Sequence, residues 1–374
     1  MRLGRLGPAI FALVAASVLA SHALSVRGAR ADDEVAEFYR DRQVNLIIGL
    51  GAGSGYDVYG RLFARYLSRH IPGNPEVVVQ NMPGAASLRA VNFLYNAAPN
   101  DGTTIGIFAR DMALVGIADA NPQARFDVRG FTWLGSSSSY ANDAHLLFIR
   151  KDGRVRTIED ARRRYGPPLF LGATSEGTTV YDANNVTRDA LGLNLKIINT
   201  YPDNYAPYYA TMRGEVDGRF AGLSATAVSQ PDWLRPDSDM QVLLQFARTT
   251  RHKDFPDVPT ARELAPDDKA RALIELAELP YRLSRPFAAP PGVPKERAMA
   301  LREAFLAVHR DQDYLRDAAR LKVDISPIDG AEVLRVIEAM ASAPAEVREY
   351  ISNLEHNAPG RGHGRGWMAR RLSR

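Results

Sequence analysis

The sequence predicts an α/β protein built as two lobes with a ligand cleft between them. Three observations carry that expectation. Strand-like apolar runs alternate with helix-spaced ones from Val44 to Phe246. A strand, a loop of small residues and a helix start occur in that order twice, after Val44–Ile48 and after Leu169–Leu171. The stretch from Pro294 onward reads as helix.

The elements follow in order. Val44–Ile48 reads as a strand, and apolar residues at Leu62, Phe63, Tyr66 and Leu67 have helical spacing. The turn Ile71-Pro-Gly-Asn-Pro75 leads to a strand at Val77–Val79, then to a helix through Leu88, Val91 and Leu94. Pro99-Asn-Asp-Gly102 is a turn ahead of the strand Thr104–Phe108. This β-α-β-α-β order argues for a parallel sheet covered by helices. A second unit opens near Ser136–Ser139, with strands at Leu146–Ile149, Leu169–Gly172, Lys196–Asn199, Val216–Ala221 and Val242–Phe246. Its helices are expected at Thr157–Arg164, Thr178–Leu191 and Tyr205–Arg213. Helices then close the chain at Pro294–Val308, Gln312–Leu321 and from Gly330 to about Leu354.

Compartment narrows function. Arg2 and Arg5 precede the apolar stretch Ala9–Ala20 and the small-x-small sequence Ala29-Arg30-Ala31, the layout of a signal peptide cleaved after Ala31. Ser21-His22-Ala23 offers a weaker cleavage site. The mature protein is expected in the periplasm as a monomer. It has no cysteine, so an apolar core must hold it without disulfides. The formal charge of +4 misleads. Residues 1–31 and 361–374 hold nine arginines and no acid; the body between them has 38 basic and 43 acidic residues. A mildly acidic body gives no argument for nucleic-acid binding. The Arg-rich tail 357–374 has no core-forming pattern.

Chemistry concentrates in the two loops. Gly49, Gly51, Gly53 and Gly55 alternate between the first strand and its helix. Glycine permits φ > 0 and close approach of a ligand to the backbone, and a helix N-terminus presents unpaired N–H groups to an anion. Gly53, Ser54, Gly55, Tyr56 and Asp57 therefore form the first candidate binding loop, with a ligand-free tight turn as the alternative. A dinucleotide fingerprint fails because its third glycine would fall on Ser54, Tyr56 or Val58. A nucleophile elbow at Ser54 fails because Ala52 and Tyr56 stand where glycines are needed. The second loop contributes Thr174, Ser175, Gly177, Thr178 and Thr179, as helix caps or as donors to an oxyanion. Arg110 sits just past the third strand, at the carboxyl end of a parallel sheet, where it could grip a carboxylate or pair with Asp111. The histidines are scattered, with no metal-ligand spacing. No metal, cofactor or catalytic group is expected.

Several segments match one family. Phe38-Tyr-Arg40, Val44–Gly49 with Gly53-Ser-Gly-Tyr-Asp57, and Val78-Val-Gln-Asn-Met-Pro-Gly-Ala85 resemble the opening of the Bug-type periplasmic solute-binding proteins of tripartite tricarboxylate transporters. Asn100-Asp-Gly-Thr103, Gly214-Glu-Val-Asp217, Pro256-Asp-Val-Pro-Thr260 and Pro286–Pro294 match later elements in the same order. The resemblance implies a type II periplasmic binding protein fold with two crossing segments. Lobe 1 would hold 32–136 and a helical return at 263–356, and lobe 2 would hold 137–262. It also implies capture of a small carboxylate (a di- or tricarboxylate, or an aromatic acid) and its delivery to membrane-embedded transporter subunits. The region of Tyr201 would form a third wall. A secreted α/β hydrolase or transferase, and a receptor feeding a membrane sensor kinase, remain as alternatives.

Overall fold

The computed structural model describes residues 33–118, 121–163, 165–174, 178–201 and 205–356. The expected signal peptide and the Arg-rich tail lie outside the described residues. Lobe 1 begins with α1 (33–39), β1 (Gln43–Ile48), α2 (Gly55–Leu67), β2 (Glu76–Asn81), α3 (Leu88–Asn96), β3 (Thr104–Ile107), α4 (Asp111–Ala118) and β4 (Thr132–Ser136). Lobe 2 holds β5 (His145–Arg150), α5 (Ile158–Ala161), β6 (Leu169–Gly172), α6 (Thr179–Leu191), β7 (Leu195–Ile198), α7 (Ala206–Met212), β8 (Gly218–Gly222), α8 (Leu223–Ser229) and β9 (Met240–Phe246). The chain continues through α9 (Asp268–Arg282), β10 (Pro286–Ala289), α10 (Lys295–Val308), α11 (Gln312–Arg320), β11 (Ile328–Asp329), α12 (Gly330–Ala341) and α13 (Ala345–His356).

Two sheets result. The first has the order β11-β4-β10-β3-β1-β2, with β1, β2 and β3 parallel and β10 antiparallel between β3 and β4. The second has the order β7-β6-β8-β5-β9, with β5 antiparallel to both neighbours. Strand β3 is buried on both faces, and β1 becomes so from Leu46 to Ile48, which is why these stretches are apolar without alternation. Helix α2 lies close on β1: a Cβ at Gly60 would come within 2.7 Å of Ile48 Cδ1.

The sequence pattern differs from the structure in three places. The expected helix 157–164 shortens to α5, and the last expected helix splits into α12 and α13 at Ser342–Pro344, where the proline interrupts it. Helices α1, α4, α8 and α9, and strands β4, β10 and β11, have no counterpart in the sequence pattern. Helix α9 does carry helical spacing at Ala270, Leu273, Ile274 and Ala277, all buried. One apolar core runs from Trp133 and Met112 of lobe 1, through Ile274 and Tyr281 of α9, to Leu171 and Phe220 of lobe 2. The lobes therefore share packing along one flank.

His309 illustrates a buried polar group satisfied by the fold. Nδ1 lies 2.7 Å from the Phe305 carbonyl and Nε2 lies 2.8 Å from Ser137 Oγ, so the neutral ring donates to one and accepts from the other. Burial pushes its pKa from 6.5 down to about 4. A base depressed in the folded state contributes stability above its unfolded pKa, and that contribution is lost as pH falls from 6.5 toward 4. At about 1.4 kcal/mol per pH unit the full loss is about 3 kcal/mol. Urea denaturation between pH 7 and 4.5 should show this slope, and His309→Gln should flatten it.

Candidate functional site

The loop after β1 closes on itself through Asp57. Ser54 caps α2, its Oγ accepting the Asp57 N–H at 3.2 Å. Gly53 turns the chain at φ +80°, and its N–H donates to Asp57 Oδ2 at 2.9 Å. Asp57 also accepts from Arg61 Nε at 2.9 Å and from Asn81 Nδ2 at 2.8 Å, while the same Asn81 nitrogen donates to the Leu50 carbonyl at 2.9 Å. Burial alone would raise the Asp57 pKa, but the donors from Arg61, Gly53 and Asn81 outweigh it and hold the carboxyl below its usual range. Two of the candidate residues engage each other. The Gly53 amide serves this internal carboxylate, and Asp57 is the clasp of the loop, buried at 4% exposure. The helix's leading N–H groups, on Gly55 and Tyr56, are not taken up by the Ser54 cap or the Asp57 carboxylate.

Arg285 stands over that N-terminus. Its guanidinium lies 4.5 Å from the Tyr56 ring centroid and 4.7 Å from that of Tyr59. Nη2 is 3.4 Å from the position a Gly55 Cβ would take. Nη1 donates to the Ser284 carbonyl at 2.6 Å, and the buried Nε has no hydrogen-bond partner among the described residues. Its backbone is tied to the other crossing segment through Ser136 Oγ and the Ser137 N–H. Among the described residues no carboxylate lies within 4.0 Å of Arg285 or Arg110.

Arg110 links the lobes. Its backbone N–H donates to the Tyr56 hydroxyl at 3.1 Å, placing it beside the first loop. Its side chain crosses to α6, where Nη2 and Nε donate to Thr179 Oγ1 at 2.6 and 3.1 Å. Nη1 reaches Ser284 Oγ at 3.1 Å, and the guanidinium packs 3.9 Å over the Tyr281 ring. Neither a solvated surface arginine nor an ion pair with Asp111 describes it. The structure thus brings Gly55, Tyr56, Arg110 and Thr179 together, and adds Arg285.

The remaining candidates stand apart. Thr178 caps α6, and Thr174 Oγ1 lies 3.2 Å from Thr178 Oγ1. Ser175 and Gly177 lie outside the described residues. Tyr201 sits beside Gly172 at the end of β6, where burial raises its hydroxyl pKa. Among the described residues no cluster of three or more acidic or histidine side chains could hold a metal. A separate groove of about 720 Å³ lies between α9 and the α12–α13 turn. Two of its arginines are paired, Arg262 with Glu275 and Glu278 and Arg282 with Glu332.

Arg285 escaped the sequence reading. The only available signal for Arg285 was its place directly before Pro286–Pro294, a segment already matched to the family. Nothing local says that this segment passes over the N-terminus of α2.

Comparison with known proteins places the fold. No family model matches the chain. A curated relative, a UPF0065 protein of Bordetella bronchiseptica, is 25% identical over 248 residues, covering 65% of this chain and 68% of its own. A TctC solute-binding protein from Polaromonas has a TM-score of 0.61 at 20% identity, over 84% of this chain and 98% of its own. The periplasmic binding protein BugD gives 0.59 at 16% identity over the same shares. An R. palustris protein solved with adipate gives 0.60 at 18% identity, over 83% and 97%. The fold is that of a type II periplasmic binding protein, and in motifs and architecture the chain resembles the Bug-type periplasmic solute-binding proteins of tripartite tricarboxylate transporters.

Proposed function

We propose that the chain is an exported receptor that captures a small carboxylate between its lobes and delivers it to membrane transporter subunits. The observation that carries this reading is Arg285. A guanidinium without a carboxylate partner among the described residues is held by two tyrosine rings over the leading amides of α2, at the meeting of the lobes. A carboxylate placed there would take charge-assisted bonds from Nη2 and the Gly55 and Tyr56 N–H groups. Export rests on the signal-peptide layout, and binding without turnover rests on the scattered histidines and the fold. The R. palustris neighbour with adipate supports a carboxylate as cargo. Delivery to membrane subunits rests on the family resemblance; multi-span membrane subunits encoded beside this gene would support it, and a sensor kinase there would oppose it.

A thermal-shift screen of mono-, di- and tricarboxylates, aromatic acids included, tests the binding. A ligand present at 100 times its Kd stabilises the native state by about 2.7 kcal/mol, enough to raise Tm by several degrees. No shift with any carboxylate at millimolar concentration would refute the proposal.

A further inference from the structure

We infer that the groove between α9 and the α12–α13 turn is a second binding site, for an amphipathic monoanion: an organic carboxylate or sulfonate carrying an apolar chain or ring. Neither Arg285 nor the α2 amides take part in it, so it stands apart from the proposed function.

One face of α9 serves the core through Leu273, Ile274, Ala277 and Tyr281. Ala272, Glu275, Leu276, Leu279 and Arg282 recur at helical spacing beside that face, and all five line the groove. Opposite them stand Ala339 of α12 and Ala343 and Pro344 of the turn after it. Most of this wall is apolar, and a volume of about 720 Å³ is typical of a small-molecule site.

The segment after β9 brings a cation to this wall. Ala247 turns the chain at φ +62°, a left-handed conformation that a Cβ makes costly, and its N–H donates to Glu278 Oε1 at 2.9 Å. Arg248 follows and lines the groove. Its Nη1 donates to the carbonyls of Ala141 and Asp143 at 2.9 and 3.1 Å, and its Nε to the Thr250 carbonyl at 3.1 Å. These neutral acceptors hold the guanidinium in place without cancelling its charge. Among the described residues Nη2 has no hydrogen-bond partner, and no carboxylate lies within 4.0 Å of Arg248. The other two arginines are matched, Arg262 by Glu275 and Glu278 and Arg282 by Glu332. Burial pushes the Glu278 carboxyl up to about 7, so this second acid on Arg262 is half uncharged at that pH. Arg248 is therefore the unmatched charge of an otherwise apolar or ion-paired groove. A single anionic head on Nη2 and an apolar body on Leu276, Leu279 and Ala343 satisfy both features, whereas a second charge on the ligand would be buried without a partner.

Fluorescence titration of the mature protein with anilinonaphthalenesulfonate, a monoanion with an aromatic body, tests the site. One equivalent should bind the folded wild type, and uncharged anilinonaphthalene should bind more weakly. Arg248→Gln should weaken the probe about tenfold, the share of one charge-assisted hydrogen bond. Ala272→Trp, which adds an indole to the groove wall, should abolish binding, and Arg285→Met should leave it unchanged. Hydrogen exchange in the wild type should slow at 247–249 and 342–344 when the probe is bound. No binding at millimolar probe, equal binding of the uncharged analogue, or undiminished binding in a folded Arg248→Gln or Ala272→Trp protein would overturn the inference. So would loss of the probe in Arg285→Met, which would place it at α2. If neither groove variant folds, the exchange pattern decides: protection at 50–57 in place of the groove segments overturns the assignment.

Discussion

Arg285→Met should cost the receptor about 3 kcal/mol of ligand affinity, on the order of a hundredfold in Kd, with little change in Tm. The size follows from removing charge-assisted hydrogen bonds to a carboxylate, each of about 1.5–3 kcal/mol. The fold should tolerate the change for two reasons. The backbone bonds of Arg285 to Ser136 and Ser137 do not use its side chain. Methionine also keeps an unbranched stem against Tyr56 and Tyr59, and its thioether packs well on rings. Calorimetry with the acid found by the thermal-shift screen is the measurement. Affinity within threefold of wild type would remove Arg285 from the site.

Asp57→Ala should act on stability first. The substitution leaves the Gly53 N–H, one bond of Asn81 and the Arg61 guanidinium without their shared acceptor. Breaking a buried charged acceptor of this kind costs about 3 kcal/mol, less whatever Arg61 regains from water at its half-exposed position. The pH dependence has a definite sign. A carboxyl held below its ordinary pKa of 3.8 contributes stability above that value and loses it as pH falls through the folded value. The difference between wild type and Asp57→Ala in urea midpoint should therefore be largest near pH 7 and shrink below pH 4. A difference constant from pH 7 to 3 would show that the carboxylate charge does not clasp the loop. Because the loop carries the α2 amides, the variant should also bind more weakly, as a consequence of lost order.

How far the sequence reached depends on how local each cause is. Asp57 was legible as a first-turn acid that complements the helix dipole, yet its partner Asn81 stands 24 residues away at the end of β2. No spacing rule joins those two, so the sequence could not show that Asp57 clasps the loop. Arg110 was legible because the carboxyl end of a parallel strand is a recurrent ligand position. Its target was not, since Thr179 belongs to the other lobe. Helix α9 carried its spacing in plain view, but the packing that makes it one core with both lobes depends on α4, α6, α12 and α13 arriving around it.

The sequence by itself determined the alternation of strands and helices, the two loops that end in helix N-termini and the order of family motifs. Each of these is written in periodicity, glycine or hydroxyl placement within a few residues of its effect. Tertiary structure alone decided that β10 inserts antiparallel between β3 and β4, and so brings Arg285 over α2. It alone decided that Arg110 of lobe 1 meets Thr179 of lobe 2. Those contacts join residues 69 or more positions apart, and which charges face each other is settled only when apolar burial has fixed how the sheets and helices pack.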